Sequence, residues 1–470
     1  MHHARFHSRP TLVVVTAVAC FLASRASAQV AVTGNVAGNV QGNVQGQQGG
    51  ILVDAQGVVK PIFTRDGTGK LSQKRLEAFS QEHLSADLNK PSPLRKVSLV
   101  RLEAACAEFA DGKKNLPPDM NFLAGLQRIE YLFVDEATND LVIAGPAEGF
   151  APDALGRMVG VTSGHPTLRL DDLLVALRAL ERGGTLGCSI DPVQERLAAF
   201  HQFIAQNSGP TSPGGAKRRY QQMADILGMH DVRIWGVPAE SHFAQTLVEA
   251  DYRMKLLSLG LETVPVRGFR SHLASLAPQG NSMQRWWITP LYEAFHTTEA
   301  RDAFQFAGQR AQLLSQEEVT DGAGNRSDAP FTRLTTQKWA QLFTEKYPEI
   351  AAASPVFAEL QHLIDYAVLG ALLKKERLPQ RVDWSMELFL DADRMSVGEG
   401  NAPRQVPTAF NTRTAGNRLI IGLVGGGISI DPMTTVRKIE LTSDAATRLE
   451  GIRTGAFPKE RAEKSSWWWD

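Results

Sequence analysis

The sequence predicts an α+β fold: a mixed sheet with packed helices, built in several segments behind a flexible N-terminal tether. Three observations predict it. Leu170, Leu173, Leu174, Leu177 and Leu180 recur at the three-and-four spacing of an amphipathic helix. Short apolar runs at 186–190 and 232–237 sit between helical patterns, as strands of a helix-covered sheet do. Pro- and Gly-rich punctuation, such as Pro117-Pro118 and residues 208–215, breaks the chain between these patterns.

The first element is not part of the fold. Arg5 and Arg9 precede an apolar stretch from Leu12 to Ala23, and Ala26-Ser27-Ala28 then supplies the small-x-small pattern that a signal peptidase accepts. Cleavage is predicted between Ala28 and Gln29, leaving residues 1–28 as a signal peptide. The mature product is expected in the periplasm, the cell envelope or outside the cell. The apolar stretch is about a dozen residues, short of the roughly 20 that a membrane-spanning helix needs. No later segment reads as long enough, so no transmembrane segment is expected in the mature chain. Residues 29–50 follow as a low-complexity linker: Gly34-Asn-Val-Ala, Gly38-Asn-Val-Gln and Gly42-Asn-Val-Gln repeat a tetrapeptide too polar to bury a core.

Residues 51–115 should hold a hairpin, 51–54 against 58–60 across Ala55-Gln56-Gly57, and then two helices over 71–88 and 94–111. Ser92-Pro93 supplies a start for the second helix and Gly112 a stop. Residues 116–330 form the α/β core region. It holds a hairpin of 128–134 and 141–144, the helix at 170–180, and a strand at 186–190. Asp191-Pro192 reads as an N-cap with Pro at the first helical position of a helix reaching about Gln206. A short helix, the 232–237 strand and a long helix over 240–259 come next, then short strands and turns over 286–314. Residues 331–380 are a helical segment. Residues 381–447 are a β region with strands at 384–390 and 419–424. Residues 448–470 are a polar tail ending in Trp467-Trp468-Trp469.

Composition excludes some functions. Lys+Arg and Asp+Glu balance at 50 each, and losing Arg5, Arg9 and Arg25 leaves a slight acidic excess. Such a chain has no electrostatic footprint for nucleic acid. Cys106 and Cys188 are the cysteines of the mature chain. Two cysteines give no disulfide framework and no metal-type spacing; buried free thiols are expected, with a single bridge as the alternative.

Catalytic motifs are mostly missing. There is no Gly-x-Ser-x-Gly, His-Glu-x-x-His, Cys-x-x-Cys or Ser-x-x-Lys, and no cofactor is expected. Asp66-Gly-Thr-Gly-Lys70 lacks the spacing and the Ser/Thr of a phosphate loop and reads as a turn. Gly425-Gly-Gly427 is expected to be a hairpin turn, since no helix opens after it to hold a pyrophosphate. Gly187-Cys-Ser-Ile-Asp-Pro192 and Gly427-Ile-Ser-Ile-Asp-Pro432 match at five of six positions, which fits independent strand ends or a short duplication. Asp391 and Asp393, with Glu399 downstream, suit the first positions of a calcium loop, but Met395 and Ser396 do not suit the next. Trp286-Trp287 with Tyr292 and Phe295 could offer a stacking platform for sugars, although adjacent strand residues face opposite ways.

The long helix carries the most informative residue. At 100° per residue Phe243, Leu247, Ala250, Met254 and Leu257 share a stripe, and Asp251 lies beside it. His242, Gln245, Glu249 and Arg253 fall on the opposite face. An acid on a buried stripe is costly unless it is paired. Asp251 is therefore either a carboxylate tuned for acid–base work, with Glu249 and His242 as further candidates, or a pinned acid tying the helix to a neighbouring backbone or an Arg. With no nucleophile, second carboxylate or metal site beside it, the structural reading is preferred.

Several of these stretches resemble one family. Pro146-Ala-Glu-Gly149, Ser189-Ile-Asp-Pro192, Gly236-Val-Pro238 with His242-Phe-Ala244, Val248-Glu-Ala-Asp-Tyr-Arg-Met-Lys255 and Arg285-Trp-Trp287 carry the resemblance. They are similar to an exported family known largely from planctomycetes, domain of unknown function 1598, over roughly 116–372. The resemblance implies export and supplies no activity, substrate or cofactor. The expected function is a non-catalytic binding or scaffolding protein of the periplasm or cell envelope, with an envelope protein or glycan as partner. The alternatives are an exported carboxylate-dependent hydrolase of envelope glycan or peptide, and an adhesin using the Gly-Asn-Val repeat.

Overall fold

The computed structural model describes residues 47–470 apart from 54–58, 66–69, 113, 278–281, 321–325, 329–331, 399, 416–417, 445–446 and 458–465. The described residues belong to one compact unit, Val44–Asp470, and residues 1–46 lie outside them. The signal segment with Ala28 and Gln29, the Gly-Asn-Val repeat, the Ala55-Gln56-Gly57 turn and Gly67-Thr-Gly69 therefore also lie outside them.

The fold is α+β, organised on two large sheets. The eight-stranded sheet runs in the order Arg326–Asp328, Arg310–Thr320, Ser282–Leu291, Arg418–Ile430, Leu186–Asp191, Met229–Trp235, Gln405–Pro407, and Phe410–Ala415 adds to Arg418–Ile430. Its pairings are antiparallel except that Ser282–Leu291 runs parallel to Arg418–Ile430. Helices Gln194–Gln206 and Pro213–Leu227 cover one face through Leu197, Phe200, Met223 and Leu227, packed on Phe410, Ile421 and Leu423. Helix His242–Leu259 lies on the other face and packs in turn against helix Pro355–Lys375.

The second sheet orders Leu441–Ser443, Phe295–Thr297, Ala303–Phe306, Tyr131–Asp135, Asp140–Ala147, Ser92–Ser98 and Trp468–Trp469. Period-two alternation splits its side chains between two cores. Leu132, Val134, Leu141 and Ile143 enter the main core, whereas Tyr131, Phe133, Val142 and Ala144 meet Leu449 and Ala456.

Several expected elements are as read: the 131–135/140–147 hairpin, helix Leu170–Arg182, strand Leu186–Asp191, and helix His242–Leu259, capped by the Ser241 hydroxyl and ended by left-handed Gly260. The hairpin after the linker also forms, but Gln47–Val53 begins inside the stretch assigned to the tether and pairs with Val59–Arg65.

Other elements differ for identifiable reasons. Residues 94–98 are strand, not helix, because Ser92–Ser98 finishes the sheet beside Asp140–Ala147. The helix begins at Leu99, where Ser98 accepts the Arg101 N–H at 3.0 Å and donates to Asp140 at 2.6 Å. Asp191 does not cap a helix: the next one starts at Gln194 without a side-chain cap. Residues 384–390 form no strand, because Glu103 accepts from the Trp384 indole and, at 2.8 Å, from the Phe389 N–H, drawing the chain into a turn and the short helix Glu387–Leu390. The polar tail contains helix Arg448–Ala456 and the edge strand Trp468–Trp469.

Gly425-Gly-Gly427 is no hairpin turn either. It lies within strand Arg418–Ile430, in the middle of the sheet. The two matching hexapeptides are antiparallel neighbours there, with Gly427 opposite Ser189, Ile428 opposite Cys188 and Ser429 opposite Gly187, a local two-fold arrangement. Helix Pro355–Lys375 is long and apolar enough to cross a membrane by composition, contrary to expectation, but 94% of that stretch is buried inside the protein.

Candidate functional site

The polar residues of interest gather on both faces of helix His242–Leu259. On the sheet side, strand Arg418–Ile430 changes neighbour: residues 418–423 pair with Phe410–Ala415, and 427–430 pair with Leu186–Asp191. At the change Gly426 adopts φ +98°, and a Cβ there would sit 2.1 Å from the Trp286 carbonyl oxygen. Only glycine fits this kink. Its backbone groups leave the ladder and are met by side chains: Asp191 accepts the Gly426 N–H at 3.1 Å, and Lys255 donates to the Gly426 carbonyl at 3.0 Å.

Lys255 also donates to Asp251 at 2.5 Å, and neither side chain reaches solvent. Arg285 completes the group by pairing with Asp191 at 3.0 Å. Asp251 is buried and paired, but its partner is Lys255, one turn along its own helix, and not the neighbouring backbone or Arg expected; it is Lys255 that reaches the next strand. Burial pushes its carboxyl up to about 7, against the pull of Lys255. Its Oδ1 has no donor among the described residues.

His242, Gln245, Glu249 and Arg253 do fall on the opposite face of the helix, His242 and Gln245 half-buried. Glu249 and Arg253 on this face are buried. Arg157 donates to Glu249 and, at 2.9 Å, to Glu359. Arg253 binds Glu262 at 2.5 Å and faces Glu249 at 3.7 Å. His242 Nδ1 is 2.9 Å from Asp172, and Nε2 is 3.9 Å from Glu359. Arg169 holds Asp171 at 2.7 Å and approaches Asp172 at 3.9 Å. Three guanidiniums and one imidazole thereby face five carboxylates. Burial opposes charge on His242, but Asp172 outweighs it and raises the imidazole above its ordinary value. Burial likewise opposes ionisation of Glu359, yet Arg157 and His242 hold it below the usual carboxylate range.

The chemical capacity of this arrangement is limited. Asp172, His242 and Thr246 stand in the order of a nucleophilic triad, with Thr246 Oγ1 at 3.5 Å from Nε2. The hydroxyl is buried, however, and the 3.5 Å separation is at the outer limit of a hydrogen bond, so no substrate-facing nucleophile is formed.

Helical periodicity could not reveal this cluster, because two of its cations, Arg157 and Arg169, lie far from the helix in sequence. One signal was present: Glu359, His362 and Asp365 recur every third residue along the otherwise apolar helix Pro355–Lys375. Asp365 is buried too, accepting from Tyr292 at 2.6 Å and Arg310 at 2.9 Å.

The remaining candidates do not assemble. Asp391 accepts the N–H groups of Asp393 and Arg394 at 2.8 and 3.1 Å, fixing its own turn, and Asp393 is exposed. Among the described residues no group of three His, Cys, Asp or Glu side chains is placed to hold a metal. Trp286 is in the core, 4.7 Å from the Trp339 ring, while Trp287 turns outward beneath the Arg285 guanidinium. Tyr292 and Phe295 pack on each other and on Phe306. Cys106 and Cys188 are buried free thiols, and burial pushes Cys106 up to about 12.

The family model described as "Protein of unknown function (DUF1598)" matches residues 188–272. The matched stretch lies inside the wider 116–372 expected from sequence. It carries Asp191, His242, Glu249, Asp251, Arg253 and Lys255. No curated protein and no solved structure matches the chain.

Proposed function

We propose that the protein is exported and acts without catalysis, as a binding or scaffolding protein of the periplasm or cell envelope whose partner is an envelope protein or glycan. The observation that carries this reading is the state of the candidate acids. Asp251 is locked to Lys255, and Glu249 to Arg157 and Arg253, all of them in the interior. A general acid or nucleophile must reach its substrate, and these groups are engaged in fastening helix His242–Leu259 to its neighbours. The pattern ending at Ala28 supports export.

The test is retention without turnover. Mature protein on a resin, challenged with envelope extract, should retain a component and release no new reducing ends or amino groups. N-terminal sequencing of the exported product should begin at Gln29. Products released by wild type but not by Asp251→Asn/Glu249→Gln would overturn the reading in favour of a carboxylate-dependent hydrolase of envelope glycan or peptide.

A further inference from the structure

The last four residues close one edge of the seven-stranded sheet. Trp468 and Trp469 pair antiparallel with Val97 and Lys96, and the Ser98 N–H donates to the Trp467 carbonyl at 2.9 Å. Trp467 is buried in the main core, and the Trp469 indole donates to the Ala456 carbonyl at 2.9 Å. Asp470 takes both oxygens to one guanidinium: Arg95 Nε to Oδ1 at 2.8 Å and Nη2 to Oδ2 at 3.0 Å. That guanidinium lies 4.8 Å over the Trp468 ring.

The receiving side also holds Arg95 through groups outside the tail. Arg95 has no exposed surface, and it donates to the carbonyls of Leu88, Ala124, Asp87 and Lys90 at 2.8–3.2 Å. Those neutral dipoles aim the guanidinium but do not balance its charge, which a carboxylate does. Asp470 stays 40% exposed while Arg95 is at zero, so the acid meets the guanidinium from the solvent side. Backbone pairing along an edge strand with side chains in adjoining pockets is strand addition, a recurrent mode of peptide recognition.

We infer that the edge of Ser92–Ser98 with Arg95 is a docking site for an aromatic–acidic strand, filled here in cis by Trp467–Asp470 and able to take the same segment from a second copy of the chain. The second copy is the occupant because its tail is identical and so satisfies every contact already made. Exchange of an identical element is a low-cost route to a dimer. Residues 458–465 connect the strand to helix Arg448–Ala456. Fully extended, they span on the order of 25 Å, enough to reach a neighbour. This inference is independent of the function proposed above, since it holds for an enzyme as well as for a binding protein.

The experiment inserts a specific protease site into residues 458–465 of the full chain, cleaves it, and adds a fluorescein-labelled Ser466–Asp470 peptide. The peptide should bind saturably by anisotropy, and the same peptide with Asn for the acid should bind at least tenfold more weakly. Uncleaved protein should show a concentration-dependent dimer by ultracentrifugation, lost in Asp470→Lys. Failure of the peptide to bind the cleaved, folded protein would overturn the docking site. Binding without any dimer at millimolar protein would overturn the second copy as its occupant. Unfolding on cleavage would also count against the site, by making the tail part of the core.

Discussion

Asp251 and Lys255 lie one helical turn apart with no water contact, which ties their charge state to folding. The ordinary carboxyl value of 3.8 is raised to about 7, burial being the largest cause. Below about pH 4 both folded and unfolded chains hold the proton, and the contribution to stability is complete. From there to about 7 the unfolded chain ionises while the folded one keeps the proton, so stability falls as pH rises, at a limit of about 1.4 kcal/mol per unit. Raised His242 adds a loss of the same sign above its ordinary 6.5. Urea unfolding of wild type and Asp251→Asn at pH 4.5 and 7 should therefore show a shallower pH slope for the variant; equal slopes would contradict the assignment. Gly426 makes a second residue-scale case. Gly426→Ala places a Cβ against the Trp286 backbone at positive φ and should cost about 3 kcal/mol or more. Gly451→Ala, in a helix with open space around it, should gain about 0.5–1 kcal/mol. Thermal unfolding of the pair checks both signs.

At the scale of elements, local patterns sufficed wherever one face was apolar and the ends carried their own signals. Helix Leu170–Arg182 announces itself by its leucines, and helix His242–Leu259 by the stripe of Phe243, Leu247, Ala250, Met254 and Leu257. Patterns misled where a distant partner set the conformation. Residues 94–98 carry helix-compatible spacing, but the edge beside Asp140–Ala147 claims them as strand. Three consecutive glycines argue for a turn until Asp191 and Lys255 arrive to satisfy the backbone that the kink exposes. The tail read as polar because its docking depends on Arg95, 375 residues away. The burial of Glu249 and Arg253 on the face opposite the stripe was not legible, because a helical wheel cannot show a second covering layer, here helix Pro355–Lys375 and the segment bearing Arg157.

Over the whole molecule, the charged residues of the matched stretch 188–272 work as fasteners between layers. Lys255 and Asp251 tie the central helix to the kinked strand, and Arg157 joins that helix through Glu249 to helix Pro355–Lys375 through Glu359. Each pair costs desolvation to bury, so losing one member should hurt more than the pair is worth intact. The central claim is that Asp251 is such a fastener and not a catalytic acid. Denaturant unfolding of wild type and Asp251→Ala, side by side at pH 8.5, above the raised carboxyl value so that the pair is ionised, tests it most directly. Stranding the Lys255 ammonium in the core should lower stability by about 3–5 kcal/mol and shift the midpoint accordingly. An unchanged midpoint would contradict the account, because an acid held for catalysis can be removed without loss of stability.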